Sequence, residues 1–175
     1  ESVYGAIYLS KGSNVGELFR FASKIMTQTS DNTNEVKILM RLSSMVIRKA
    51  TPHFPIMYYN FTCNIPSKNP SLPKFAKKQK YFVNINELAN GDLSVFIQKE
   101  YQNYKLATNA LAQVFISILT LHKVGYSHND AHWGNFLFHK ITPGGYIKYM
   151  INSKEVYVEN LGYLWVIWDY GRITV

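Results

Sequence analysis

At 175 residues the chain is long enough for one hydrophobic core or two small ones. Hydrophobic residues at 47% and charged residues at 17% exclude a disordered chain, and the single Cys63 excludes an internal disulfide and fits a reducing compartment, not secretion. The net charge of +8 suits acidic proteins, nucleic acid or an anionic surface; no apolar run of about 18 residues and no charged-then-apolar leader appear, so no membrane span is predicted.

Residues 2–9 alternate as a strand does and carry Gly5, which on pattern alone marks a bulge. A Gly/Ser/Asn turn at 12–16 leads to a second apolar strand over 19–26, where Lys24 by itself reads as an edge lysine in solvent. Thr33-Asn34-Glu35 then opens a helical pattern with Val36, Ile38, Leu39, Leu42, Met45 and Val46 apolar. Thr33 or Asn34 is the expected cap, and a first-turn Glu35 complements the helix dipole. A Pro-flanked turn at 51–55 enters an aromatic strand at 56–61.

Residues 64–80 hold Pro66, Pro70 and Pro73 with lysines 68, 74, 77, 78 and 80, the composition of an exposed basic connection, either solvated or gripping a polyanion. Residues 81–87 are strand-like, and 88–93 break the strand at Gly91 and Asp92, where Asp92 can cap a helix over 93–99. The clearest helix runs over 106–123, with Ala107, Leu111, Val114, Ile118 and Leu121 as its apolar stripe, Ala110 and Phe115 beside it, and Gly125 ending it. Gly144-Gly145 and the alternation at 146–151 predict a hairpin, with further strands at 156–158 and 163–168.

The chemistry is concentrated in His128-Asn129-Asp130-Ala131-His132-Trp133-Gly134-Asn135 and in Asp169-Tyr170-Gly171. An Asp with an Asn five residues on, followed by a second Asp before an aromatic and a Gly, suits phosphoryl transfer. One carboxylate orients an attacking hydroxyl and accepts its proton; an amide oxygen and a second carboxylate are hard ligands for magnesium on nucleotide phosphates.

These motifs, with Lys24 and Glu35 upstream, resemble the protein-kinase-like superfamily, His-Asn-Asp standing for His-Arg-Asp and Asp-Tyr-Gly for Asp-Phe-Gly. The resemblance implies an α+β, two-lobe fold. Residues 1–87 form the small β-rich lobe, and 88–175 the hinge and first part of a helical lobe. It implies ATP and Mg2+ as ligands and a protein hydroxyl as acceptor. Lys24 would reach the phosphates and Glu35 would hold Lys24, although their spacing of 11 positions is short for the family. Gly5 and Ile7 would cover the nucleotide. Glu87, Leu88 and Ala89 would offer backbone to adenine, and Asp92 would meet the ribose or cap its helix. Asp130 would be the base, Asn135 and Asp169 the metal ligands, and His128 a structural brace.

Asn129 replaces the Arg that couples this loop to a phosphorylated segment, so activation by that route is not expected. His132 replaces the usual Lys, and His-x-Asp-x-His-x-Gly-Asn is also similar to aminoglycoside and choline phosphotransferases. The 33 residues between Asn135 and Asp169, with their flanks, resemble the serine/threonine protein kinases ascribed to large nucleocytoplasmic DNA viruses. That implies a virion and host-cytoplasm location and capsid or core proteins as partners of the basic surface; nucleic acid rests on charge alone. A rival reading is a pseudokinase-like structural or docking component of a virion. Starting at Glu1 without Met and stopping four residues after Gly171, the sequence is expected to be a piece of a longer product, doubtful as a phosphotransferase alone.

Overall fold

Residues 6–11, 20–65, 79–100 and 102–175 are described in the computed structural model of the chain, a mixed fold of β-sheets and three α-helices. It divides into two compact units.

The first unit takes Glu1–Ile47 and Pro55–Leu88. Its elements are β1 (Ala6–Lys11), β2 (Arg20–Thr27), α1 (Ser30–Ile47), β3 (Met57–Ile65) and β4 (Gln79–Asn86). The strands form an antiparallel sheet in the order β1-β2-β4-β3. Because side chains alternate along a strand, β2 feeds both faces. Ile25 packs with Tyr81 and Val83, and Met26 with Phe82 and Val36 of α1. Lys24, two residues from Met26, therefore points to the α1 face. Met26 and Leu42 are fully buried, and each such side chain contributes about 1.5–3 kcal/mol by leaving water.

α1 begins three residues before the expected Thr33, and its cap is neither Thr33 nor Asn34. The Thr29 hydroxyl oxygen accepts from the Asn32 amide at 3.2 Å, and the Thr33 hydroxyl donates back to the Thr29 carbonyl at 2.6 Å. Ser30, Asp31 and Asn32 are polar residues of kinds that sit well in a first helical turn. With the helix starting at Ser30, Glu35 lies in the second turn, on the buried face with Asn32, Val36, Ile38, Leu39, Leu42 and Ser43.

The second unit takes Arg48–Phe54 and Ala89–Val175. It holds β5 (Gly91–Asp92), α2 (Leu93–Glu100), α3 (Tyr104–Lys123), a 3-10 turn (Trp133–Asn135), β6 (Phe136–Lys140), β7 (Tyr146–Ile151), β8 (Lys154–Glu159) and β9 (Tyr163–Ile167). β5, β6 and β9 form one sheet, and β7 and β8 a separate antiparallel hairpin. The hairpin turns on Asn152 and Ser153, both with positive φ (50° and 62°), the backbone that a tight two-residue turn requires. Gly91 allows a close approach: a Cβ there would lie 2.9 Å from the Phe138 ring, which would have to shift.

α3 starts at Tyr104 because Asn103 caps it, its Oδ1 accepting from the Leu106 amide at 3.1 Å. The buried face is Ala110, Gln113, Val114, Ser117 and Leu121. Only part of the expected apolar face is inside: Leu111 of the stripe is 49% exposed, and Phe115 beside it 66%. The face is decided by Gln113, which a purely hydrophobic reading passes over. Its Nε2 donates to the Tyr163 carbonyl at 3.0 Å, and its Oε1 accepts from the Trp165 amide at 3.2 Å, tying the helix to β9. Contrary to the expectation of no such segment, α3 is long and apolar enough to cross a membrane by length and composition.

His53 braces this unit from the 48–54 segment. Its Nδ1 lies 2.6 Å from the Trp165 carbonyl oxygen and its Nε2 2.9 Å from the Tyr149 hydroxyl. Burial pushes its pKa down to about 4, against the opposing pull of the Trp165 carbonyl. The neutral ring therefore donates from Nδ1 and accepts the Tyr149 hydroxyl at Nε2.

Candidate functional site

In the first unit, Lys24 Nζ lies 2.5 Å from Glu35 Oε1, with the two side chains 1% and 3% exposed. The spacing of 11 residues is bridged because β2 leads through two residues into α1, whose second turn brings Glu35 back over the strand. Ile7 is the register partner of Lys24 across β1 and β2 and is 51% exposed. Gly5, the turn at 12–16 and most of the lysine-rich stretch, 66–78, lie outside the described residues.

Glu87 is locked onto Ile56 twice. Its amide donates to the Ile56 carbonyl at 2.9 Å, and its Oε1 accepts from the Ile56 amide at 3.0 Å. That removes the Glu87 N–H from the backbone donors expected for adenine, leaving carbonyls and the following residues. Leu88 is exposed and Ala89 half-buried.

In the second unit, Asp92 caps α2: its Oδ1 accepts from the Ser94 hydroxyl at 2.5 Å and the Val95 amide at 2.9 Å. Partial burial pushes its pKa up, but the bonds from Ser94 and Val95 outweigh this and hold it below the usual carboxylate value. The cap is thus present, using one carboxylate oxygen.

The loop from His128 to Asn135 is closed by its own bonds. The Asp130 carbonyl accepts from the His132 amide and from Asn135 Nδ2, both at 2.9 Å. With Nδ2 committed, the Asn135 amide orientation is set and Oδ1 is its remaining acceptor. The Trp168 amide donates to the Asn135 carbonyl at 2.8 Å, which places the start of Asp169-Tyr170-Gly171 against the end of the loop. Asp130, Asn135 and Asp169 thus belong to one bonded constellation, while Lys24 and Glu35 belong to the other unit.

Asp169 has φ +65°, a left-handed backbone that costs most residues roughly 1–2 kcal/mol and that Asp tolerates better than most. His128 is 3% exposed and faces the Trp168 carbonyl with Nε2 at 2.8 Å, a brace between loop and motif. Burial lowers its pKa, against the raising influence of that carbonyl and of Asp169 and Asp130. His132 Nδ1 accepts from the Gly134 amide at 3.1 Å, capping the 3-10 turn.

Among the described residues no group of three or more His, Cys, Asp and Glu converges as a metal site. The candidate set is one amide oxygen, Asn135 Oδ1, and one carboxylate, Asp169. Hard oxygens in that number fit magnesium, which binds through one or two protein carboxylates and fills its octahedron with water and phosphate. Two contacts in this loop were not foreseen in the sequence: Arg172 Nη1 lies 3.7 Å from Asp130 Oδ1, and Asn129 bonds to the segment after Gly171. The signal for the second was an Asn inside the loop, a residue suited to left-handed backbone.

No family model matches the chain. Curated relatives do. The chain is 30% identical over 146 residues to a "putative serine/threonine-protein kinase" of Frog virus 3 (isolate Goorha), covering 81% of this chain and 17% of the relative. It is 27% identical to a serine/threonine-protein kinase of Schizosaccharomyces pombe, covering 83% and 20%, and 26% identical to a "putative serine/threonine-protein kinase" of Acanthamoeba polyphaga mimivirus, covering 81% and 37%. The chain is thus similar to proteins named as serine/threonine kinases, two of them from large DNA viruses, and its resemblance to the protein-kinase-like superfamily holds. It spans between about a sixth and somewhat over a third of their lengths. Such relatives support a kinase-like, transferase function.

Proposed function

We propose that this chain is the nucleotide-binding and catalytic-loop part of an ATP- and magnesium-dependent serine/threonine protein kinase of viral origin, carried in virions and acting in the host cytoplasm. It is read as two lobes, residues 1–87 and 88–175. The observation that carries the reading is the buried Lys24–Glu35 pair. Burying an ammonium and a carboxylate costs several kcal/mol, which their attraction roughly offsets, so stability alone does not account for the pair. An ammonium held by a carboxylate is suited to meeting phosphate.

In this reading Lys24 positions the phosphates and Asp130 orients an acceptor hydroxyl. The hydroxyl oxygen bonds to the γ-phosphorus as the bond to the β–γ bridging oxygen breaks; ADP leaves and the proton passes to Asp130. Asn135 and Asp169 would hold magnesium, which supplies charge neutralisation on the phosphates. Gly5 and Ile7 would cover the nucleotide, Leu88 and Ala89 would meet adenine, and the second carboxylate oxygen of Asp92 would meet the ribose. The acceptor is a protein hydroxyl, and the basic surface is read as a contact for capsid or core proteins.

The test is thermal unfolding with ATP, with and without magnesium, beside Asp169→Asn. Ligand at about 100 times its dissociation constant adds about 2.7 kcal/mol of stability. A magnesium-dependent rise in midpoint that fades in Asp169→Asn is expected. A folded wild type that shows no rise sinks the reading.

A further inference from the structure

The segment after Asp169-Tyr170-Gly171 is held on the catalytic loop by groups that the proposed chemistry does not use. Ser127 and Thr174 exchange two backbone bonds, from the Ser127 amide to the Thr174 carbonyl at 2.9 Å and from the Thr174 amide to the Ser127 carbonyl at 3.0 Å. Asn129 adds two more from one side chain: Nδ2 donates to the Arg172 carbonyl at 3.1 Å and to the Thr174 hydroxyl at 2.9 Å. Both hydrogens of one amide nitrogen are thereby spent on the same three-residue segment. Asn129 sits at φ +59°, and Asn is among the few side chains that take this backbone at little cost. The residue type therefore serves twice, in the backbone turn and in the double donor.

The consequence reaches Asp130. With its carbonyl fixed by Asn129, Arg172 has its guanidinium Nη1 3.7 Å from Asp130 Oδ1, the two side chains being 53% and 32% exposed. At that distance the contact is an ion pair beyond hydrogen-bond range, and at that exposure it is worth little in stability. It nonetheless sets a positive charge beside the carboxylate.

We propose that Asn129 is a positioning residue: a neutral latch that fixes the Arg172–Thr174 segment on the loop and so keeps the Arg172 guanidinium beside Asp130. The latch needs no phosphoryl group and no ion pair. Being made of neutral groups, it is insensitive to salt, whereas the Arg172–Asp130 contact is screened at high ionic strength.

The experiment reads amide hydrogen exchange at Ser127 and Thr174 and tryptic cleavage after Arg172. Asn129→Gly keeps the left-handed backbone and removes both bonds, whereas Asn129→Asp loses the bond to the Arg172 carbonyl and can still accept from the Thr174 hydroxyl. Asn129→Gly is expected to speed Thr174 exchange and cleavage about tenfold, the loss of two modest hydrogen bonds, and Asn129→Asp to speed them less. Thr174→Val is expected to give a smaller rise and Thr174→Ser none. Wild-type exchange is expected to be the same in dilute buffer and at high salt. Should an Asn129 variant fold poorly, Thr174→Val against Thr174→Ser reads the latch from its other end. Unchanged exchange in both Asn129 variants, or salt-dependent exchange in the wild type, overturns the proposal. None of these readouts requires turnover, so a latch found in a protein that fails to bind ATP would leave this inference standing and remove only the kinase reading.

Discussion

Lys24 and Glu35 meet inside the first unit at 2.5 Å, an ammonium and a carboxylate both almost wholly removed from water. Breaking such a pair from one side leaves the other charge buried without its counterion, at a cost of about 3–5 kcal/mol, whereas apolar replacement of both is close to neutral. Lys24→Met and Glu35→Leu should each lower stability by that amount, and the double variant should lose less than either. Urea unfolding of the four proteins measures the coupling. A double variant whose loss equals the sum of the singles would show that the two groups act independently.

The acid side of the stability curve should belong partly to His53. Its folded pKa of about 4 lies below the ordinary 6.5, so between those values the unfolded chain binds a proton that the folded chain refuses. Stability is then complete above pH 6.5 and falls as pH drops toward 4, by roughly 3 kcal/mol over the window. His128 is shifted in the same direction by burial and adds to the slope. Thermal unfolding between pH 7 and 4 should show the loss, and His53→Gln should flatten it. A wild-type midpoint that stays level over this range would refute the argument.

What the sequence disclosed depended on whether short-range pattern or a distant partner decided the outcome. The strands around Lys24 and over 81–87 were legible because alternation of apolar residues is local, and the observed β2 and β4 fall there. The helix at 106–123 was legible as a helix, but its inward face turns on Gln113, whose partners Tyr163 and Trp165 lie about fifty residues away. The start of α1 was misplaced because Thr29, a capper by chemistry, stands before three residues that also suit turns. His128 as a brace followed from its place in the motif, whereas its partner, the Trp168 carbonyl, is backbone and leaves no trace in residue type. Asn129 carried a readable hint, tolerance of positive φ, but not what its amide would hold.

Gln113 offers a direct check on how α3 is fixed. It is fully buried and satisfies the Tyr163 carbonyl and the Trp165 amide, besides donating to Asn109 Oδ1 at 2.9 Å. Gln113→Leu keeps the volume and adds apolar surface, yet strands two backbone groups in the core. Each unmet group costs about 1–3 kcal/mol, more than the added burial returns. A loss of at least about 2 kcal/mol by urea unfolding is expected. An equally stable Gln113→Leu would mean that α3 is held by its apolar contacts alone.

Asp169 separates backbone cost from chemistry. At φ +65° an Ala pays the full left-handed penalty, an Asp less, and a Gly none beyond its own chain entropy. Asp169→Ala should therefore lose about 1 kcal/mol of stability in the absence of nucleotide, while Asp169→Gly stays within about 1 kcal/mol of the wild type or exceeds it. Both variants remove the carboxylate, so both should lose any magnesium-dependent stabilisation by ATP, the Gly variant without a folding defect to confuse the result. Stabilisation by magnesium and ATP that survives in Asp169→Gly would take the metal-binding role away from this residue while leaving the account of its backbone intact.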